Sequence, residues 1–279
     1  PRNARGLRFS SPAYLVENLK NFHHFLRPRS PRPLPVYWSN APKGEGAKTS
    51  YLKPHPGDVP LDSIQRPEEF SAVLRNWIAR EDGWRVARAR YLSGLYKSNN
   101  YDADRLVAAA NMFDILPADA VPLPATLPAD LDETRAACIA SLKKHPPGQD
   151  RDTAIAALKR MGRPSLPKKV QHRTALVEKH FADRFSELAY VIKLAVQSRN
   201  YFVHGPSDDF NYKVVEPFLY FFTDALEFVF AASDLIEAGW NAAQWNNKPH
   251  GKGHSFARFR GDYDITLAEL KMAVGCRPR

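Results

Sequence analysis

The sequence predicts an all-α fold. Apolar residues recur at helical spacing from Pro67 onward, as in Phe70, Val73, Leu74, Trp77 and Ile78. Prolines cluster between the periodic segments, where they stop helices. No stretch shows the alternating pattern of a strand ladder, and no internal repeat is visible.

Residues 1–66 read as an irregular, Pro-rich arm or linker. Pro28, Pro31, Pro33 and Pro35 are followed by Pro42, Pro54, Pro56 and Pro60, and proline suits neither helix interiors nor central strands. Only 12–26 looks helical here, and Val36, Tyr37 and Trp38 could dock on a core. The helical domain is expected over 67–240. Pro67, Glu68 and Glu69 make a favourable first turn, with proline and acids at the positive helix end. Helices are expected next over 84–96 and 102–116, the latter stopped by Pro117. A loop follows, carrying Pro117, Pro122, Pro124 and Pro128. Helices over 129–144 and 152–161 precede a second break with Pro164 and Pro167. Long helices are then expected over 168–204, with a kink near Arg184, and over 211–238. Residues 241–279 read as a basic tail with one short helix near 265–274.

The 211–238 helix is apolar almost all round. Glu216, Tyr220, Thr223, Glu227 and Asp234 share one narrow stripe, while Val215, Phe218, Leu219, Phe222, Leu226 and Val229 fill the rest. Such a helix is the centre of a bundle, or also forms a subunit contact. Its acids make it a poor membrane span, and no membrane association is expected.

The 279 residues are 44% apolar, enough for a sizeable core, and carry 40 Lys and Arg against 30 Asp and Glu. The formal charge of +10 favours phosphate-bearing partners such as RNA. Cys138 and Cys276 stand far apart with no Cys-x-x-Cys pair, so zinc is not expected and a reduced, cytoplasmic protein is the simplest account. No secretory signal is visible. The first residue is Pro1, which leaves room for an upstream sensor domain in a longer protein.

The chemistry-bearing stretch is Ser198 to Gly205. It sets Arg199, Asn200 and His204 on the last turns of an apolar helix, before Gly205 and Pro206 stop it. An Arg can bind a phosphate and a His can move a proton, and neither task needs a metal. Arg-to-His spacing alone selects little in a chain this rich in Arg; the context selects. Arg199 falls within the apolar stripe of Phe185, Leu188, Ala189, Ile192, Val196 and Val203. A charge there needs either a carboxylate partner, with Glu187 and Glu227 as candidates, or a wet cleft or second subunit. Asn200 and His204 are one turn apart and share a face.

Other basic clusters carry less. Lys168, Lys169 and Arg173 sit with Lys159, Arg160 and Arg163 around a proline-broken loop, and Arg85 and Arg88 lie near Trp84 and Tyr91. Either set reads as an RNA-touching surface or a solvated helix face. Arg173 and His180 repeat an Arg-to-His spacing without the Asn or the Gly stop, and read as part of that basic face. The run from Lys248 to His254 has two His, but its Gly and Pro argue against a metal site.

Arg199-Asn200-x-x-x-His204 resembles the Arg-x(4–6)-His signature of the HEPN superfamily. The family often has a polar residue, commonly Asn, directly after the Arg. The lead-in Phe185-Ser186-Glu187-Leu188, the polar loop after Gly205 and the aromatic-rich helix from Asn211 resemble the C-terminal HEPN domain of ApeA-like bacterial anti-phage proteins. The clear resemblance covers about 181–240. It implies a helical bundle that forms a homodimer with a composite site, and metal-independent cleavage of RNA, tRNA included, by attack of the ribose 2′-hydroxyl. His204 would handle protons, Arg199 would hold the phosphate, and Asn200 would orient either. It implies a toxin or abortive-infection role, with a phage trigger or upstream sensor as partner and no cofactor. The alternatives are a catalytically silent HEPN scaffold that binds RNA or protein, and a basic DNA-binding regulator, for which no helix-turn-helix signal is present.

Overall fold

The computed structural model describes residues 59–97, 100–207, 210–249, 251 and 253–275. The expected 12–26 helix and the Val36, Tyr37, Trp38 contact lie outside the described residues. Those that are described form an all-helical bundle.

Helix α1, Pro67–Ala79, starts on its proline and acids and buries Phe70, Val73 and Trp77. Helix α2, Glu81–Tyr96, buries Trp84, Tyr91, Leu92 and Leu95. Helix α3, Ala103–Asn111, is capped by Asp102, whose carboxylate accepts from the Arg105 N–H at 2.7 Å. It ends earlier than expected, in a 3-10 turn over Phe113–Ile115. After the proline loop come α4, Ala129–Lys143, and α5, Gln149–Lys159, which pack on each other as a hairpin. Helix α4 buries no residue at all.

The long helix expected over 168–204 is two helices. Helix α6, Leu166–Phe181, and α7, Leu188–His204, are joined by a 3-10 turn over Ala182–Phe185 and by Glu187 in the left-handed region, φ 57°. They fold back on each other, and the Glu178 carboxylate accepts from the Ala189 N–H at 3.1 Å near the turn. The segment 211–238 is likewise split. A single turn, α8, Tyr212–Val215, leads through a 3-10 turn over Glu216–Phe218 into α9, Leu219–Glu237, and Pro217 accounts for the break.

Helix α9 is the bundle's centre. It packs against α3, α6 and α7, and nearly every residue from Phe221 to Ile236 is buried within this one chain. Packing within this chain accounts for the apolar character of α9 from Phe221 to Ile236. The tail also differs from expectation. After the short α10, Ala242–Asn246, helix α11 spans Ser255–Gly275 and covers α9 with Phe256, Phe259, Tyr263, Leu267 and Leu270. Phe228 meets Phe256 and Phe259 with ring centroids 4.9 Å apart in both cases.

Glu227 and Asp234 of the polar stripe are buried too, each in an ion pair, whereas Glu216 and Tyr220 are exposed. Glu227 accepts from Arg105 Nε and Nη2 of α3, both at 2.8 Å. Asp234 accepts from Arg88 Nε and Nη2 of α2 at 2.8 and 2.9 Å, and from the Trp77 indole of α1 at 2.8 Å. Glu237, at the helix end, pairs with Arg80 and with Arg173 of α6, and Arg173 also donates to Ser233 Oγ at 3.0 Å. Gly94 of α2 leaves the room for the first pair: a Cβ there would stand 2.7 Å from Glu227 Oε1.

Two residues read as RNA contacts are therefore structural. Arg173 is 0% exposed and Arg88 4% exposed. Trp84, read with them as a stacking surface, is buried beneath Arg80 and Arg173, whose guanidinium carbons lie 4.5 and 5.1 Å from the ring centre. Arg173 and His180 are not an exposed pair either, since the His180 ring bonds to the Leu176 carbonyl and Arg173 faces the core.

Removing one member of a buried pair strands the other in a medium of low polarity. Asp234→Ala should cost about 3–5 kcal/mol in urea unfolding followed by helicity. A loss under about 1 kcal/mol would show that Arg88 finds water or another partner. A second group gives a pH-dependent test. Burial, and then the nearby charge of Glu227, push the Asp224 carboxyl up to about 6, against the lowering effect of its hydrogen bond from Tyr101 at 2.8 Å. Ionising Asp224 then costs more in the folded chain than in the unfolded one. Asp224→Asn should stabilise the protein by up to about 3 kcal/mol at about pH 8, and the gain should vanish towards about pH 4. A pH-independent difference would place the effect in packing.

Candidate active site

Helix α7 carries the candidate residues on its last two turns. Its earlier turns bury Val191, Ile192, Ala195 and Val196, which anchor it against α3, α6 and α9. From Arg199 onward the helix leaves the core: Arg199 and Asn200 are half-buried and His204 is exposed. Gly205 ends the helix, its N–H donating to the Tyr201 carbonyl at 3.0 Å. The emerging chain is held by aromatic rings. Tyr201 stacks on Tyr212 with centroids 4.5 Å apart, and Phe202 meets Tyr212 edge-on at 4.9 Å.

The structure brings Arg199, Asn200 and His204 together. Arg199 Nη1 donates to Asn200 Oδ1 at 3.1 Å and lies 3.5 Å from His204 Nε2. The other side of the guanidinium is gripped by Asn111, the last residue of α3. Its Oδ1 accepts from Arg199 Nε at 3.2 Å and from Nη2 at 2.8 Å. Asn111 is a site residue that the sequence reading does not identify. Its signal is slight, a lone amide closing the run Leu106 to Ala110 before Met112 and Phe113.

Neither carboxylate considered as a partner for Arg199 reaches it. Glu187 pairs with Lys271 at 2.7 Å, and Glu227 pairs with Arg105. Arg199 makes no ion pair among the described residues. It is oriented by two neutral amides, which fix its plane without cancelling its charge. One Nη2 N–H is left over, and Nη1, beyond its bond to Asn200, has a second N–H with only a long contact to the imidazole. Together they make a fork open to an anion beside an imidazole nitrogen.

The remaining residues read as RNA contacts lie elsewhere. Lys168 is exposed, whereas Lys169 donates to the Asp114 carbonyl at 2.9 Å. Arg85 is exposed on α2 within 3.4 Å of Glu81. Among the described residues, no three or more His, Cys, Asp or Glu side chains gather in a way that could hold a metal ion. No helix of the described residues is long and apolar enough to cross a membrane.

The arrangement of an amide-held Arg and a His at the open end of a core helix lies inside a region of known kind: residues 107–244 match the family described as Apea-like HEPN. These residues form a HEPN domain related to ApeA-like proteins. No curated protein and no solved structure gives a match. The matched HEPN region holds Asn111, Arg199, Asn200 and His204, along with α9 and most of α3. Helices α1 and α2 precede it, yet their Arg88 and Trp77 close on Asp234 within it.

If Arg199 serves a ligand rather than the fold, its loss should be mild. Arg199→Ala should lower stability by no more than about 2 kcal/mol, against about 3–5 kcal/mol for Arg88→Ala or Arg105→Ala. Denaturant midpoints of the three variants decide it. A loss at Arg199 as large as at Arg105 would make it a structural residue.

Proposed function

We propose that the HEPN domain is a metal-independent endoribonuclease. The observation that carries this reading is the Arg199 guanidinium, held by Asn111 and Asn200 without a carboxylate, 3.5 Å from the His204 imidazole at an open helix end. The relation to ApeA-like HEPN domains supports the same chemistry.

In the proposed reaction the ribose 2′-hydroxyl attacks the adjacent phosphorus and the 5′-oxygen leaves. The products are a 2′,3′-cyclic phosphate and a free 5′-hydroxyl, so no bond to water or metal is needed. Arg199 binds the non-bridging oxygens and meets the charge that builds on them, as a donor oriented beforehand does best. His204 transfers a proton, taking it from the 2′-hydroxyl or giving it to the 5′-oxygen. One imidazole does not serve both ends of an in-line displacement at once. A homodimer about a two-fold axis beside His204 supplies two Arg and two His to one composite site. Val203, exposed next to His204, belongs to the surface such a partner would cover. The biological role we assign is that of a toxin or abortive-infection effector acting on RNA in the cytoplasm, with tRNA the first target to test.

The decisive experiment is digestion of total RNA and of purified tRNA by matched variants. His204→Ala should lower cleavage by about 10²–10⁴-fold with helicity unchanged. Activity should persist in EDTA, and the 3′ ends should be cyclic phosphates. Mixing Arg199→Ala with His204→Ala chains should restore part of the activity if the site is composite. Equal cleavage by the parent and His204→Ala would sink the ribonuclease reading in favour of a silent scaffold.

A further inference from the structure

The α4–α5 hairpin stands outside the core. Helix α4 buries nothing, and in α5 only Ile155 is buried. A segment of this length with so little packing is not there to stabilise the bundle. Between the two helices runs an open groove of about 500 Å³. Its floor is Ala136, Ile139 and Ala140, and its rim is Arg135, Lys143, Lys159 and Arg163. No acid lines it. The hairpin's carboxylates, Asp130, Asp132, Asp150 and Asp152, sit in the first turns of α4 and α5, with Glu133 just beyond, and only Asp132 reaches a rim residue, Arg135. Lys143, Lys159 and Arg163 are exposed and make no ion pair among the described residues. The rim cations along α4 span about 12 Å, longer than a single phosphate group.

The hairpin's stem also has a position. Asn111 touches Arg199, and Asp114, three residues on, touches Lys169 in the first turn of α6. Because α6 and α7 run antiparallel, the start of α6 and the end of α7 share one end of the bundle. The hairpin enters α6 there, with the Ala125 N–H on the Gly162 carbonyl at 2.8 Å closing the stem. Gly162 has φ +82°, and a Cβ would stand 2.8 Å from the Ala125 carbonyl oxygen, so this closure requires glycine.

We propose that the α4–α5 groove grips the sugar–phosphate backbone of single-stranded RNA and leads it to Arg199 and His204. Phosphates meet the four cations, and riboses or bases cover the apolar floor. The grip as a feeder of substrate rests on the ribonuclease reading; the grip as an RNA-binding site does not. Lys143, Lys159 and Arg163 are exposed and can be removed without disturbing the fold.

The test uses the full chain carrying His204→Ala, so that RNA is bound but not consumed. A fluorescent single-stranded RNA is titrated by anisotropy against this protein and against one that also carries Lys143→Ala, Lys159→Ala and Arg163→Ala. A control carries Lys144→Ala, Arg160→Ala and Lys179→Ala, an equal charge loss outside the groove. The groove variant should bind at least about tenfold more weakly, with the slope of log affinity on log salt reduced by about 2. The control should change less than about threefold. Equal weakening in both would make the effect one of net charge and overturn the proposal. So would displacement of the RNA by polyglutamate at comparable concentration, which would point to an acidic protein segment. RNA binding lost in the groove variant, with no cleavage by the parent chain, fails the catalytic reading and keeps the grip. Cleavage by the parent with unchanged binding does the reverse.

Discussion

The fold depends on carboxylates buried in an otherwise apolar helix. Glu227 and Asp234 of α9 cannot sit in the core alone, and each draws an arginine from another helix. The apolar surface of α9 would pack against neighbours in many sliding arrangements. A bidentate guanidinium bond admits one. Arg105 thereby sets how far α3 is shifted along α9, and Arg88 does the same for α2. Six residues beyond Arg105, about 9 Å along α3, stands Asn111, the amide that orients Arg199. The candidate site is positioned by a pair of charges that never meet a ligand.

The same side chain does opposite things in one molecule. Arg88, Arg105 and Arg173 are neutralised by carboxylates and stacked on aromatic rings, and they act as fasteners. Arg199 is held as firmly by Asn111 and Asn200, but amides accept hydrogen bonds without supplying a countercharge. Its charge stays available at the point where α7 emerges from the core. The difference lies in the partner, not in the arginine.

Much of this was legible in the sequence because it is local. Helix starts at Pro67 and Asp102, the breaks at the proline loops, and the apolar character of α9 follow from neighbouring residues. So does the grouping of Arg199, Asn200 and His204 on one helix end. What could not be read is what crosses the chain. The Asp234–Arg88 pair joins residues 146 apart, so charge counting placed Arg88, and likewise Arg173, on the surface. Asn111 lies 88 residues from Arg199, and nothing beside it announces the contact. The full length of helix α11 is masked in the sequence because Arg258, Arg260, Asp262 and Asp264 interrupt its apolar pattern. Its aromatic residues pack between them at helical spacing.

The closure at Ala125 and Gly162 has a consequence for how this domain can change. The chain leaves the bundle and returns to it at two points joined by one hydrogen bond, and everything between them adds little to the core. Topologically it is an excursion with adjacent ends. Such a segment can be shortened, lengthened or exchanged with little effect on folding. Selection can therefore rewrite it at a pace that the helices around α9, tied by their buried charges, cannot follow. A family built on this plan would keep its interior and vary its outreach.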